Sequence, residues 1–226
     1  MAPQTGWNVQ HDRSDEAASG ALATGALALV VGPSGAGKDT LIDAARVALE
    51  GDDRIHFARR IVTRSSHAAS ERHDVMSEGE FDLAEAAGEF LLSWRAHGLA
   101  YAIPGANRKL LRASRVVVAN VSRSSIRDAE RQVERVVVLH VTAPVAVLAQ
   151  RIGARGREPV DAIAARLARQ PPLISARAPI IEIVNVGSIE DALRRFTAAL
   201  RSIADQTSDN APRCENGRRG DLGEKG

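Results

Sequence analysis

Aromatic residues are scarce in this chain, at 3% of 226 residues, so its interior has to be assembled from Val, Leu, Ile and Ala. With 44% hydrophobic residues it can still bury a real core, as one domain of ordinary size or one domain with a small insertion. Cysteine is almost missing too. Cys214 is the only one and lies in a polar stretch, which excludes an intramolecular disulfide and fits a reducing cytoplasm. No run of about 18 apolar residues is present for a membrane span, and the first 20 residues lack the apolar stretch of a signal peptide. The expected location is therefore cytoplasmic. Charge of one sign is lacking as well: the formal balance of +2 gives no argument for a nucleic-acid partner.

What the chain does have is the segment Gly32-Pro33-Ser34-Gly35-Ala36-Gly37-Lys38-Asp39-Thr40. It follows the apolar run Ala26-Leu27-Ala28-Leu29-Val30-Val31 and precedes Leu41-Ile42-Asp43-Ala44-Ala45-Arg46-Val47-Ala48-Leu49, which reads as a helix. Strand, glycine loop, lysine and helix in that order make a phosphate-binding loop (P-loop). Glycines let the backbone curl so that several N–H groups point at one set of phosphate oxygens, and the helix adds the positive end of its dipole. Lys38 is placed to reach the outer phosphates of a triphosphate. The motif asks for Ser or Thr straight after the lysine, where the hydroxyl holds magnesium, and here that position is Asp39. Three readings stay open at this point. Asp39 takes over as a magnesium ligand, Thr40 supplies the hydroxyl from one position on, or Asp39 only complements the helix dipole.

Along the rest of the chain, short apolar runs at 54–62, 89–94, 115–121, 135–142 and 180–186 alternate with helical stretches at 77–87, 105–111, 122–132, 144–152, 160–170 and 188–204. Val116-Val117-Val118 and Val136-Val137-Val138-Leu139 are β-branched without strict alternation, as suits strands buried on both faces of a parallel sheet. The pattern predicts an α/β fold with a parallel core sheet and ligands at its carboxyl edge. Residues 1–20 read as a disordered leader, 21–204 as the domain and 205–226 as a disordered tail. The less regular stretch 63–104 reads as an acceptor-binding insertion holding one helix and one short strand.

A P-loop specifies a nucleotide but no reaction. The remaining signals are arginines. Arg59-Arg60-Ile61-Val62-Thr63-Arg64 ends the second strand at the functional edge, and Gly153-Ala154-Arg155-Gly156-Arg157-Glu158 is an arginine-bearing loop flanked by Arg151 and Arg166. Such a loop can close over a triphosphate and supply charge to the moving phosphoryl group, whose transfer rests on positioning and electrostatics.

In order along the chain, residues 32–40, Val62-Thr63-Arg64, Ser77-Glu78-Gly79-Glu80-Phe81, Ala100-Tyr101-Ala102-Ile103-Pro104 and Arg155-Gly156-Arg157 resemble the motifs of guanylate kinases. The resemblance implies a P-loop nucleoside-monophosphate-kinase-like three-layer fold with a parallel core sheet, an acceptor-binding insertion (63–104) and a lid (151–159). The chain departs from that family where GMP is held. His67 stands in place of a second arginine, Val75 and Met76 follow Asp74 in place of a tyrosine and an aromatic, and Ala119-Asn120-Val121 matches an aspartate-bearing strand end.

The departures are similar to those of a narrower family, the ribose 1,5-bisphosphate phosphokinases of phosphonate degradation. The Gly37-Lys38-Asp39 loop, Glu71-Arg72-His73-Asp74-Val75-Met76-Ser77, Leu92-Ser93-Trp94-Arg95-Ala96-His97-Gly98-Leu99 and Arg155-Gly156-Arg157-Glu158 carry this resemblance. It implies ATP-dependent phosphorylation of the 1-phosphate of ribose 1,5-bisphosphate, giving 5-phospho-α-D-ribose 1-diphosphate and ADP. The partners it implies are a small sugar phosphate, ATP and magnesium (Mg2+), with neither nucleic acid nor membrane. In that reading residues 32–40 cradle ATP, Lys38 stabilises the transferring charge, and Asp39 or Thr40 helps hold magnesium. Arg64 and Tyr101 grip the acceptor, while Arg151, Arg155, Arg157 and Arg166 close from the lid side. His67, His73 and His97 suit a small sugar bisphosphate, and Trp94 is expected in the core. Two alternatives remain: a guanylate or other nucleoside-monophosphate kinase, and a guanylate-kinase-like binding module without catalysis.

Overall fold

The computed structural model of the chain describes residues 25–63, 73–154, 167, 173 and 175–209. In chain order the first elements are β1 (Ala26–Val31), α1 (Lys38–Ala48), β2 (Ile55–Phe57), β3 (Arg60–Thr63), β4 (His73–Met76) and α2 (Glu78–Ala86). Next come β5 (Phe90–Ala96), β6 (Leu99–Pro104), α3 (Asn107–Arg112), β7 (Val116–Asn120), a short 3-10 turn (Arg123–Ser125) and α4 (Ile126–Gln132). β8 (Val136–Thr142), α5 (Val145–Gly153), β9 (Ile180–Val184) and α6 (Ile189–Asp209) complete the described set.

Every residue of β1 is at 0% exposure, as a central strand covered on both faces demands. Its side chains divide by size. Ala26, Ala28 and Val30 belong to the cluster that contains Leu41 and Ala45 of α1 and Phe196, Leu200 and Ile203 of α6. Leu27, Leu29 and Val31 belong to the opposite cluster, with Leu91 and Leu92 of β5, Ile103 of β6 and Ile126 and Ala129 of α4. Small residues let two helices lie close to the strand, and leucines fill the wider gap on the other side. Phe196 is fully buried in the first cluster, and truncating such a side chain to Ala costs about 3–5 kcal/mol.

The core sheet is parallel, in the order β2-β7-β1-β8-β9. This bears out the α/β class and the parallel core. A second sheet, β4-β3-β6-β5, stands beside it, with β3 parallel to β4 and antiparallel to β6, and β5 antiparallel to β6. Here the structure differs from the sequence reading. The stretch 54–62 is not one strand: after the Ala58 N–H bonds Val118 O (2.9 Å), the chain leaves the core sheet and continues as β3 in the second. The insertion holds β4, β5 and β6 around α2, more than the one strand expected, because β5 and β6 form a hairpin. His97 (φ 53°) and Gly98 (φ 72°) make its two-residue turn, in the left-handed conformations such a tight turn requires. The expected helix at 160–170 lies outside the described residues except for Leu167, and α6 runs on to Asp209, past the expected boundary at 204.

Two local devices fix the frame around the site. Ser77 caps α2 in a capping box: its hydroxyl accepts from the Glu80 N–H (3.3 Å), and the Glu80 carboxylate accepts from the Ser77 N–H (2.9 Å). Glu130 of α4 gathers the chain entering β9, accepting from Ser175 Oγ (2.6 Å), Ala178 N (2.8 Å) and Arg177 N (2.9 Å). Burial opposes charge on this carboxylate, yet the hydrogen bonds from Ser175, Ala178, Arg177 and Ala176 outweigh it and pull the pKa down to about 2.

Candidate active site

The P-loop leaves β1 at the carboxyl edge of the core sheet and is shaped by three glycines at positive φ: Gly32 (152°), Gly35 (81°) and Gly37 (84°). Two of them also sit where no Cβ fits. A Cβ on Gly32 would lie 2.0 Å from Val141 O, and one on Gly37 2.5 Å from Asn185 Nδ2. Gly37 is the residue before α1, so its left-handed backbone turns the loop into the helix. Asn185 stands one residue beyond β9, is 4% exposed and donates from Nδ2 to Ala36 O (2.8 Å). Its own N–H bonds Thr142 O (2.7 Å), so the sheet edge holds the asparagine and the asparagine holds the loop.

Lys38 Nζ donates to the carbonyls of Gly32 (2.8 Å) and Pro33 (3.0 Å) and lines the cleft beneath the loop. Burial pushes its ammonium below the usual range, Arg123 and Arg60 push the same way, and Asp39 opposes. Asp39 is exposed in the first turn of α1, and its Oδ1 accepts from Asn120 Nδ2 at 2.7 Å. Asn120 ends β7, in register with Val30 of β1, which is why it reaches the loop. Among the described residues no group of three or more His, Cys, Asp or Glu gathers as a cation cage. One carboxylate beside a phosphate cradle is nevertheless the donor set magnesium takes, since that ion keeps its waters and shares phosphate oxygens.

The far wall of the cleft is the second sheet. Tyr101 of β6 stacks on Trp94 of β5 with ring centroids 5.5 Å apart and planes 10° apart. On the β3 side, the Arg60 guanidinium lies 5.6 Å from the Tyr101 ring centroid. His97, Ser122 and Arg123 complete the rim of a cavity of about 330 Å³ that also includes Gly32, Ser34, Lys38, Asp39 and Asn120. Behind it, burial lowers the pKa of His140 on β8; Glu182 opposes this, and Arg123 and Lys38 add to it.

Of the expected site residues, the structure thus brings together the P-loop, Lys38, Asp39 and Tyr101. Thr40 is exposed on α1, and Arg151 lies in the last turn of α5; neither lines this cavity. Arg64, Arg155, Arg157, Arg166 and His67 lie outside the described residues. Trp94 is a half-buried wall of the cleft as well as a core neighbour. Sequence reasoning missed Asn185 and Arg123 and did not separate Arg60 from Arg59, which pairs with Asp74 (2.7 Å). The available signal was position: each missed residue lies at or just beyond a strand end.

A guanylate kinase from Anaplasma phagocytophilum superposes with a TM-score of 0.58 over 79% of this chain and 85% of its own, at 17% identity, which supports the fold alone. No protein-family model matches the chain. A curated relative from Brucella melitensis, the ribose 1,5-bisphosphate phosphokinase PhnN, is 44% identical over 183 residues, covering 81% of this chain and 95% of its own. The chain belongs to the ribose 1,5-bisphosphate phosphokinase family. A bifunctional ribose 1,5-bisphosphokinase–thymidine phosphorylase from Cupriavidus pinatubonensis is 48% identical over 185 residues, which are 82% of this chain but 31% of that protein. The chain thus spans less than a third of the length of such bifunctional relatives. Among the described residues no helix is long and apolar enough to cross a membrane.

Proposed function

We propose that the chain is an ATP-dependent kinase that phosphorylates ribose 1,5-bisphosphate to 5-phospho-α-D-ribose 1-diphosphate, a step of phosphonate catabolism. An oxygen of the acceptor's 1-phosphate attacks the γ-phosphorus of ATP, the bond to the β,γ-bridging oxygen breaks, and ADP leaves. The observation that carries this reading is 44% identity over nearly the whole of a relative named for that reaction, joined to a P-loop facing an arginine- and tyrosine-lined cleft.

In this reading the N–H groups of residues 32–40 hold the donor phosphates, and Lys38 exchanges its carbonyl partners for the outer phosphates. Asp39, set by Asn120, or the neighbouring Thr40 would help hold magnesium, which would neutralise charge on the phosphates when bound. Tyr101 and Arg64 orient the acceptor phosphate. Arg151, Arg155, Arg157 and Arg166 come from the lid side, exclude water and add positive charge to the transferring group. The chain works in the cytoplasm, with small molecules rather than nucleic acid or a membrane as partners. The domain is read as starting at 21 and running through the end of α6 at Asp209, with the lid at 151–159.

Phosphorus NMR with ATP and magnesium, offering ribose 1,5-bisphosphate and GMP in parallel, tests the reading. A diphosphate signal from the sugar alone is the expected result. Turnover of GMP instead would make the chain a divergent guanylate kinase, and silence on both would leave a binding module.

A further inference from the structure

We propose that Arg60 of the second sheet and Arg123 beside β7, which line the cleft together with Lys38, form a second phosphate subsite that selects acceptors carrying a phosphate at each end. The inference rests on the proposed function and names the residues that read the part of the acceptor that does not react.

Among the described residues, the cleft of about 330 Å³ is bounded by three cationic side chains, Lys38, Arg60 and Arg123, and a single carboxylate, Asp39. That carboxylate already accepts from Asn120. A phosphate monoester carries about −1.5 to −2 charges at neutral pH, so a sugar bisphosphate presents two such groups at once. Tyr101 meets the reacting one. The other needs its own cations, and the cleft lining supplies two more.

Each arginine is fixed by a different element. Arg60 opens β3 while Arg59, one residue earlier, is held by Asp74 (2.7 Å), so the neighbouring guanidiniums have separate tasks. Arg60 lies over the ring of Tyr101, whose strand runs between those of Arg60 and Trp94. A guanidinium over a ring still has N–H groups at its edge to offer a ligand beside the ring. Arg123 begins the 3-10 turn after β7, behind Ser122, whose hydroxyl accepts from the Ser124 N–H and sets the turn. Both charges act on the Lys38 ammonium, which places the three within one electrostatic neighbourhood.

This arrangement discriminates by chemistry. Guanidinium forks match phosphate oxygens two at a time. A neutral purine in the same place would desolvate two cations and bring no charge of its own to meet them, which is how a charged pocket rejects a nucleoside monophosphate.

The test is titration calorimetry on the full chain without ATP, comparing ribose 1,5-bisphosphate with ribose 1-phosphate for wild type, Arg60→Gln and Arg123→Gln. Thermal melting confirms that each variant is folded. Wild type is expected to bind the bisphosphate about 10- to 100-fold more tightly, and each substitution to remove most of that preference while leaving ribose 1-phosphate affinity within about twofold. Arg123→Lys is expected to restore part of it. A preference that survives both substitutions, affinities for the two sugars that fall together, or a wild type that binds both equally overturns the subsite. Turnover of the bisphosphate, followed separately, judges the proposed reaction. A collapsing preference without turnover would retain the subsite and remove the kinase reading, while turnover with an unchanged preference would do the reverse.

Discussion

The two sheets that meet at the cleft are built on opposite plans. The core sheet builds its side of the cleft from backbone: a loop in which a Cβ on Gly32 or Gly37 would collide with its neighbours, tied by Asn185 to the last strand. The second sheet presents side chains, Arg60, Trp94 and Tyr101, half-buried on strands whose pairing brings them together. A cradle made of main chain is inseparable from the core that shapes it, so stability and donor binding fall together. A wall made of side chains can exchange its chemistry without touching the fold.

The comparison is broken most forcefully at Gly32. Gly32→Ala sets a methyl 2.0 Å from Val141 O at a φ of 152°, and is expected to cost more than about 4 kcal/mol in urea unfolding. A variant that unfolds like wild type would dissolve the link between cradle and core. Lys38→Ala sharpens the division, because it removes a side chain from the backbone site: kcat is expected to drop about 10²- to 10³-fold with an unchanged melting temperature. Near-normal turnover would remove Lys38 from the mechanism. Asn185→Ala leaves the buried Ala36 carbonyl unpaired, so stability should fall by about 1–3 kcal/mol and ATP affinity with it, both readable by calorimetry. Tyr101→Phe is the smallest. It keeps the stack on Trp94, so stability stays within about 0.5 kcal/mol. The KM for the acceptor is expected to rise about 3- to 10-fold, and a matching rise in the KM for ATP would erase the assignment of this wall to the acceptor.

The same division governs what could be read from the sequence. The P-loop was legible because its information is local: glycine spacing, a preceding apolar run and a following helix specify the turn without reference to the rest of the chain. β1, β7 and β8 were legible for a similar reason, as dense apolar strands buried on both faces. The acceptor wall was not. β6 is recognisable only once the His97-Gly98 turn folds it onto β5, and Trp94 looked like core because its partner Tyr101 lies across that hairpin. Arg59 and Arg60 are indistinguishable as letters, and only the ion pair to Asp74 assigns the first of them to the frame. Asn185 lies 149 residues from Ala36, and no local pattern links the two.

That last separation also sets an order of events during synthesis. The P-loop leaves the ribosome early, yet the strand carrying its buttress, Ile180–Val184, and Asn185 itself follow only near the end of the described chain. A ribosome-stalled chain ending before Asn185 should therefore fail to retain ATP, although its entire glycine motif is already outside the exit tunnel. Competence to bind nucleotide is thus expected only once Asn185 has emerged, and ATP retention by stalled chains of graded length checks it.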